Sequence, residues 1–307
     1  MLNVKRILYP TDFSSCARQA LPHAVLLAQE HQAELHMLHA VVLHENDPHK
    51  PEHHFDDPAS LRKLLRKKIA EQMVEDIKTS KEEVPKVFQE QRRGIASAHV
   101  ILEYAKEKDI DIIVMGSHGR RGVKRLLLGS VAEEVVREAS CPVMTIREVK
   151  DSKPAESLTN VLVPVDFSKH SIQALGYAVE IGSAYKSKLH LLHVVEEEIY
   201  PTYCRPIRLA YLQEMLPEIE GKARHALKKL GKGVIGPEIA WESHVTLGHP
   251  ARDIIGMAQK YNIDLIVIAT HGLSAIERFL LGSVTQKVVR RAPCPVLTIK
   301  SFGKSLL

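Results

Sequence analysis

The chain has 307 residues, 45% of them hydrophobic and 26% charged, with a net charge of +5. This is about twice a common single-domain length, with the composition of an ordinary globular protein and no apolar run near the roughly 18 to 20 residues of a membrane span. The mild, dispersed positive charge and the lone Trp241 argue against a nucleic-acid surface, which needs a concentrated basic face or stacking aromatics.

Met1 to Pro10 reads as a strand rather than a secretion signal, since it lacks a basic lead, an apolar stretch and a small-residue cleavage site. Four scattered cysteines without a CxxC pair suit reduced thiols, so a cytoplasmic location is expected. Ser14 can cap a helix whose Ala17, Ala20, Leu21, Ala24, Val25 and Ala28 follow the 3.6 period. A second apolar strand covers Leu35 to Val41. A polar segment with His44, His49, His53, His54, Asp56 and Asp57 follows; it lacks regular ligand spacing and reads as a solvated loop rather than a metal site. Helices are expected over Leu61 to Lys78, Ser97 to Lys108 and Ser130 to Ala139. The short apolar run Asp111 to Met115 suits a parallel strand buried on both faces. Pro142 stands before the last strand, where a missing N–H is tolerated. Alternating strands and helices imply a doubly wound α/β sheet with right-handed crossovers.

The same series then returns. "ILYPTDFS" at Ile7 recurs as "VLVPVDFS" at Val161, "LHMLHAV" at Leu35 as "LHLLHVV" at Leu189, and "DIIVMGSHG" at Asp111 as "DLIVIATHG" at Asp264. "LLGSVAEEVVREASCPVMTI" at Leu127 recurs as "LLGSVTQKVVRRAPCPVLTI" at Leu280. Four matched blocks in one order define two copies of a domain, 1–149 and 160–307, joined by a polar linker over 150–159.

In such sheets ligands bind beyond the carboxyl ends of the strands, at the switch in strand order. Two pieces of each copy belong there. One is Pro10-Thr11-Asp12, matched by Pro164-Val165-Asp166, whose carboxylate can accept from an adenine amine or a ribose hydroxyl or simply shape the turn. The other is Gly116-x2-Gly119-x9-Gly129-Ser130, which opens a helix whose first N–H groups favour phosphate. It is neither a GxxxxGK[ST] loop nor a dinucleotide fingerprint, because it follows the fourth strand. Arg120, Arg121, Lys124 and Arg125 can screen phosphates beside it. The second loop has fewer basic residues, and Ala269 stands where the first has Gly116, so a narrower, weaker second site is expected. His118 and His271 lie within the loops without a carboxylate at fixed spacing, and a structural role is expected for both. His39 and His193 read as hydrogen-bonded strand-end histidines, and Cys141 and Cys294 as packing residues.

These motifs resemble the tandem form of the universal stress protein family, over nearly the whole chain. The resemblance implies a Rossmann-like five-stranded parallel sheet per copy, of the adenine nucleotide alpha hydrolase type, with helices on both faces. It implies ATP as ligand, with Mg²⁺, in a stress-response protein that senses nucleotide or binds partners. Asp12 and Asp166 would meet the adenine or ribose, and Ala40 and Val194 the adenine through the main chain. Met115, Gly116, Gly119 and Arg120 would line the ribose and phosphate path, and Gly129, Ser130 and Val131 would bind phosphates. Ile268, Gly272, Gly282, Ser283 and Val284 take those places in the second copy. The resemblance also implies pairing through the last strands, Val143 to Ile146 and Val296 to Ile299, as an intrachain pseudo-dimer or a homodimer. Two alternatives stay open: a nucleotide-free dimerising interaction module, and a slow ATPase. No HxGH or SGGxDS motif occurs, so at most weak hydrolysis is expected.

Overall fold

The computed structural model describes residues 2–42, 59–79, 86–119, 128–148, 158–196, 205–271, 281–300 and 302–307. They form two compact units, Asn3–Glu156 with Phe302–Leu306, and Ser157–Ser301 with Met1–Leu2 and Leu307.

The first unit runs β1 (Arg6–Pro10), α1 (Ser15–His31), β2 (Glu34–Val42), α2 (Ala59–Thr79), β3 (Lys86–Gly94), α3 (Ser97–Glu107), β4 (Ile112–Gly116), α4 (Ser130–Glu138) and β5 (Val143–Ile146). Its strands are parallel and ordered β3-β2-β1-β4-β5. The second unit repeats this with β6 (Asn160–Pro164), α5 (Lys169–Tyr185), β7 (Lys188–Glu196), α6 (Arg205–Val234), β8 (Trp241–Gly248), α7 (Pro250–Lys260), β9 (Leu265–Ala269), α8 (Ser283–Arg291) and β10 (Val296–Ile299), ordered β8-β7-β6-β9-β10. Each is therefore a five-stranded parallel α/β domain, as the repeated sequence blocks imply.

The central strands carry the core. Ile7, Leu8 and Tyr9 of β1 and Ile113 and Val114 of β4 are fully buried, each contributing about 1.5–3 kcal/mol for a large aliphatic side chain. Helix α1 packs across β1 and β4 through Cys16, Ala17, Ala20, Leu21, Ala24 and Val25, whose mostly small side chains let it lie close. Ser14 caps it by accepting from the Ala17 N–H at 3.2 Å, and it ends at Gln32 in the left-handed region, φ 51°.

Each unit has an aspartate at the amino end of its fourth strand that ties down its first. Asp111 Oδ2 accepts from the Lys5 and Arg6 N–H groups at 2.7 and 2.8 Å. Asp264 Oδ2 accepts from the Thr159 and Asn160 N–H groups at 2.9 and 2.8 Å and from Thr159 Oγ1 at 2.6 Å. In the first unit a segment from beyond the second repeat joins this clamp. Lys304 Nζ lies 2.6 Å from Asp111 Oδ1 and 2.9 Å from Asp109 Oδ1, and the Lys304 N–H donates to the Ser140 carbonyl at 2.7 Å. Among the described residues no helix is long and apolar enough to cross a membrane.

Candidate functional site

Strand order reverses between β1 and β4, so the chain leaves these neighbours in opposite directions and opens a crevice at their carboxyl ends. After β1 the backbone turns at Phe13, φ 62°. The turn is held by side chains: Thr11 Oγ1 accepts from the Phe13 N–H and Asp12 Oδ1 from the Ser14 N–H, both at 3.0 Å. From the end of β2, His39 Nδ1 donates to the Thr11 carbonyl at 2.7 Å and its ring packs on Phe13 at 4.8 Å. His39 is thus a half-buried, hydrogen-bonded residue that fixes the turn.

The glycine loop meets this turn. A Cβ on Gly119 would stand 2.5 Å from Asp12 Oδ2, so only glycine lets the carboxylate lie against the loop. On the far side of the loop the Gly129 N–H donates to the Ser117 carbonyl at 2.8 Å, and the Ser117 N–H to Ile146 at 2.7 Å. These bonds bring the start of α4 back beside the end of β4. Gly129 is the N-cap, with φ −67° and ψ 146°, and Ser130 is an exposed first residue rather than the cap. The first N–H groups of α4 have no partner within the helix, and its dipole favours an anion there.

His118 has the carboxylate partner that sequence spacing did not reveal. Its Nε2 lies 3.4 Å from Glu148 Oε2, while Nδ1 faces Ser117 Oγ at 3.2 Å and Cys16 Sγ at 3.6 Å. The Cys16 thiol donates to the Ile146 carbonyl at 3.4 Å, and burial raises its pKa. Cysteine, histidine and glutamate therefore stand in a row beneath the loop. The thiol is buried and protonated, so the row serves packing and orientation rather than nucleophilic attack.

The second unit reproduces the turn closely. Asp166 Oδ1 accepts from the Ser168 N–H at 2.9 Å, Phe167 has φ 63°, and His193 Nδ1 donates to the Val165 carbonyl at 2.7 Å. The Gly282 N–H donates to the Thr270 carbonyl at 2.9 Å and caps α8, as Gly129 caps α4. The expected cost of Ala269 needs correcting in its mechanism. Gly116 and Ala269 both end extended strands. A Cβ at Gly116 would point at Cys16 Sγ and the Ala17 N–H of α1, 3.0 and 3.1 Å away. The matching methyl of Ala269 thus belongs to strand–helix packing, not to the crevice.

Pro10, Thr11, Asp12, Gly116, Gly119, Gly129, Ser130 and Val131 gather around the β1–β4 switch, with Ala40 at the end of β2. Pro164, Val165, Asp166, Val194, Gly282, Ser283 and Val284 hold the same places in the second unit. The side chains of Met115 and Ile268 are buried in the cores, so these residues offer only main-chain atoms to the crevice. Arg120, Arg121, Lys124, Arg125 and Gly272 lie outside the described residues, as do His44, His49, His53, His54 and their aspartates.

A family model described as the universal stress protein family matches residues 3–147 and again 158–300. A universal stress protein of Methanocaldococcus jannaschii is 34% identical over 146 residues, covering 48% of this chain and 84% of its own. One of Bacillus subtilis is 34% identical over 152 residues, covering 46% of this chain and 98% of its own. Each of these relatives corresponds to about half of the chain. The crystal structure of a universal stress protein from Archaeoglobus fulgidus aligns over 96% of both chains with a TM-score of 0.64 and 23% identity. A putative universal stress protein from Pseudomonas aeruginosa covers 97% of this chain and 93% of its own, with a TM-score of 0.65 and 19% identity. These structures share the fold. With the family's domain matched twice across nearly its whole length, the chain belongs to the universal stress protein family.

Proposed function

We propose that the first repeat binds ATP, with Mg²⁺, in the crevice between Asp12 and the start of α4, and that occupancy alters its contacts with partner proteins in a stress response. One observation carries the reading: the loop glycine Gly119 is pressed against the Asp12 carboxylate while Gly129 opens a helix beside it. This sets an acceptor for a ribose or adenine donor next to a cradle of N–H groups for phosphate. Asp12 takes the nucleoside end, the Ala40 main chain borders the base, and the Met115, Gly116 and Gly119 main chain lines the path between. Gly129, Ser130 and Val131 hold phosphates, and Arg120 lies in the stretch that adds positive charge.

Asp166, Val194, Ile268, Gly272, Gly282, Ser283 and Val284 form the matching set in the second repeat. Since Ala269 packs toward α5, the poorer basic content of the second loop is the remaining ground for a weaker site. Hydrolysis is not part of the reading. Both His118 nitrogens face protein groups, Glu148 on one side and Ser117 with Cys16 on the other, which leaves a poor general base.

Mass spectrometry of small molecules released from the purified, denatured protein tests this directly. One adenine nucleotide per chain, lost in Asp12→Ala and kept in Asp166→Ala, is expected. A ratio near two would show equal sites. No nucleotide, together with no heat on titrating ATP at high concentration, would leave the interaction-module reading.

A further inference from the structure

We propose that His190, His244 and Glu242 form a binding site for a divalent metal ion of the zinc class on the β7–β8 face of the second repeat. The three side chains share one face of two paired strands. His190 is the register-mate of Glu242, and Glu242 and His244 are two apart on β8, hence on the same side. One ligand atom from each can be chosen so that all lie within 4.8 Å of one another, and among the described residues this is the one such group of histidine, cysteine and carboxylate side chains.

The geometry is that of a metal site rather than a chance cluster. His190 is buried, and its Nδ1 lies 3.3 Å from His244 Nε2. Two imidazole nitrogens bound to one tetrahedral zinc at about 2.0–2.1 Å stand roughly 3.3–3.4 Å apart. The lone pair is also aimed. Asn160 Nδ2 donates to Thr159 Oγ1 at 3.3 Å, which turns Asn160 Oδ1 toward His190 Nε2 at 3.2 Å. An amide oxygen only accepts, so the proton sits on Nε2 and Nδ1 is left as an acceptor facing His244. Orientation of a ligating histidine through its second nitrogen is how protein metal sites are commonly supported. Lys188 occupies Glu242 Oε1, leaving Oε2, 3.7 Å from His244 Nε2, as the third donor. Tyr261 lies over both imidazoles, with ring centroids 5.2 Å from His190 and 4.9 Å from His244, and shields the group on one side. Two histidines and one carboxylate leave a fourth position for water or a further ligand.

The fold does not require this set. In the first repeat the counterpart of His190 is His36, whose register-mate is Phe88 and whose Nδ1 meets the Tyr104 hydroxyl at 2.8 Å. There the imidazole lies against phenyl and phenol, with its Nε2 3.6 Å from Glu34 Oε2 on its own strand. In the second repeat the paired strand β8 gives the same position both a carboxylate and a second imidazole. The group lies toward the amino ends of the strands, beside Asn160 at the start of β6, whereas the nucleotide crevice lies at their carboxyl ends.

Calorimetric titration of Zn²⁺ into the chelator-stripped full chain is the test, with Co²⁺ absorption reporting the ligand set. The background is a variant with His44, His49, His53 and His54 all changed to Ala, which removes the other histidine-rich segment. One zinc per chain is expected in that background. His244→Ala should abolish it, Glu242→Gln should weaken it about tenfold or more, and both should leave ATP binding unchanged. Both positions are partly or fully exposed, and circular dichroism without metal checks that each variant folds. Zinc binding that survives His244→Ala in the background variant overturns the proposal. So does the absence of zinc binding when His190, His244 and Glu242 are intact, in which case the His190–His244 contact is an ordinary hydrogen bond.

Discussion

Asp12 and Gly119 are separated by more than a hundred residues in the chain, yet a Cβ on Gly119 would collide with Asp12 Oδ2 at 2.5 Å. Gly119→Ala should therefore displace the carboxylate and weaken ATP binding about as much as Asp12→Asn does. A charge-assisted hydrogen bond is worth about 1.5–3 kcal/mol, or roughly a 10- to 150-fold loss in affinity by calorimetry. Equal affinity in wild type and Gly119→Ala would place the ligand elsewhere.

The Asp111 clamp predicts a stability loss confined to the first repeat. Asp111→Ala leaves the Lys5 and Arg6 N–H groups without their acceptor and Lys304 with Asp109 alone, a cost of about 3–5 kcal/mol for removing one partner of a buried charged network. Lys304→Met removes only the partly exposed cation and should cost roughly 1 kcal/mol. Urea unfolding, with hydrogen exchange assigned to β1 and β4, separates the two. Equal losses would mean that Lys304 rather than the backbone amides dominates.

Burial lowers the pKa of His23 from 6.5 to about 4. The unfolded chain then binds a proton that the folded chain refuses between those values. Stability from this group is fully present above about pH 6.5 and is lost as pH falls toward 4. Between pH 7.5 and 5 the loss should be on the order of 2 kcal/mol, since a shift of one unit is about 1.4 kcal/mol. His23→Gln should flatten the fall in unfolding free energy between pH 7.5 and 5 relative to wild type; parallel curves would refute the assignment.

Thiol reactivity follows from burial. Cys16, Cys141 and Cys294 are in no disulfide, with burial pushing the pKa values of the Cys16 and Cys294 thiols upward, the latter to about 12. Alkylation of the native protein at pH 7.5, read by peptide mass mapping, should spare all three and modify them only after unfolding. Rapid native labelling of Cys16 would show that the row it forms with His118 and Glu148 opens in solution.

The elements legible in the sequence were those written twice. Matched blocks identified β1, β2, β4 and β5 with their partners β6, β7, β9 and β10, and the apolar period of α1 gave its buried face. The place of the residues next to a matched glycine or aspartate, at the carboxyl ends of the strands, was legible for the same reason. Glu148 beside His118 was not, because the two residues follow the ends of β4 and β5 and only the pairing of those strands brings them together. The grouping of His190 with His244 fails by the same route, since cross-strand register has no signature in local spacing. Ala269 was misread because a sequence names a missing glycine without saying which way its Cβ would point. Only the position of α1 over β4 supplies that direction.

Residues 302–306 belong structurally to the first repeat but are made after the second. Lys304 lies 195 residues downstream of Asp109, one of the two aspartates it pairs with. At about 5–20 residues per second of synthesis, a nascent first repeat spends roughly 10 to 40 seconds with Asp111 answered only by the Lys5 and Arg6 amides. During translation the first domain thus holds its clamp through backbone amides alone, and it receives the Lys304 ion pairs only once its twin has been synthesised.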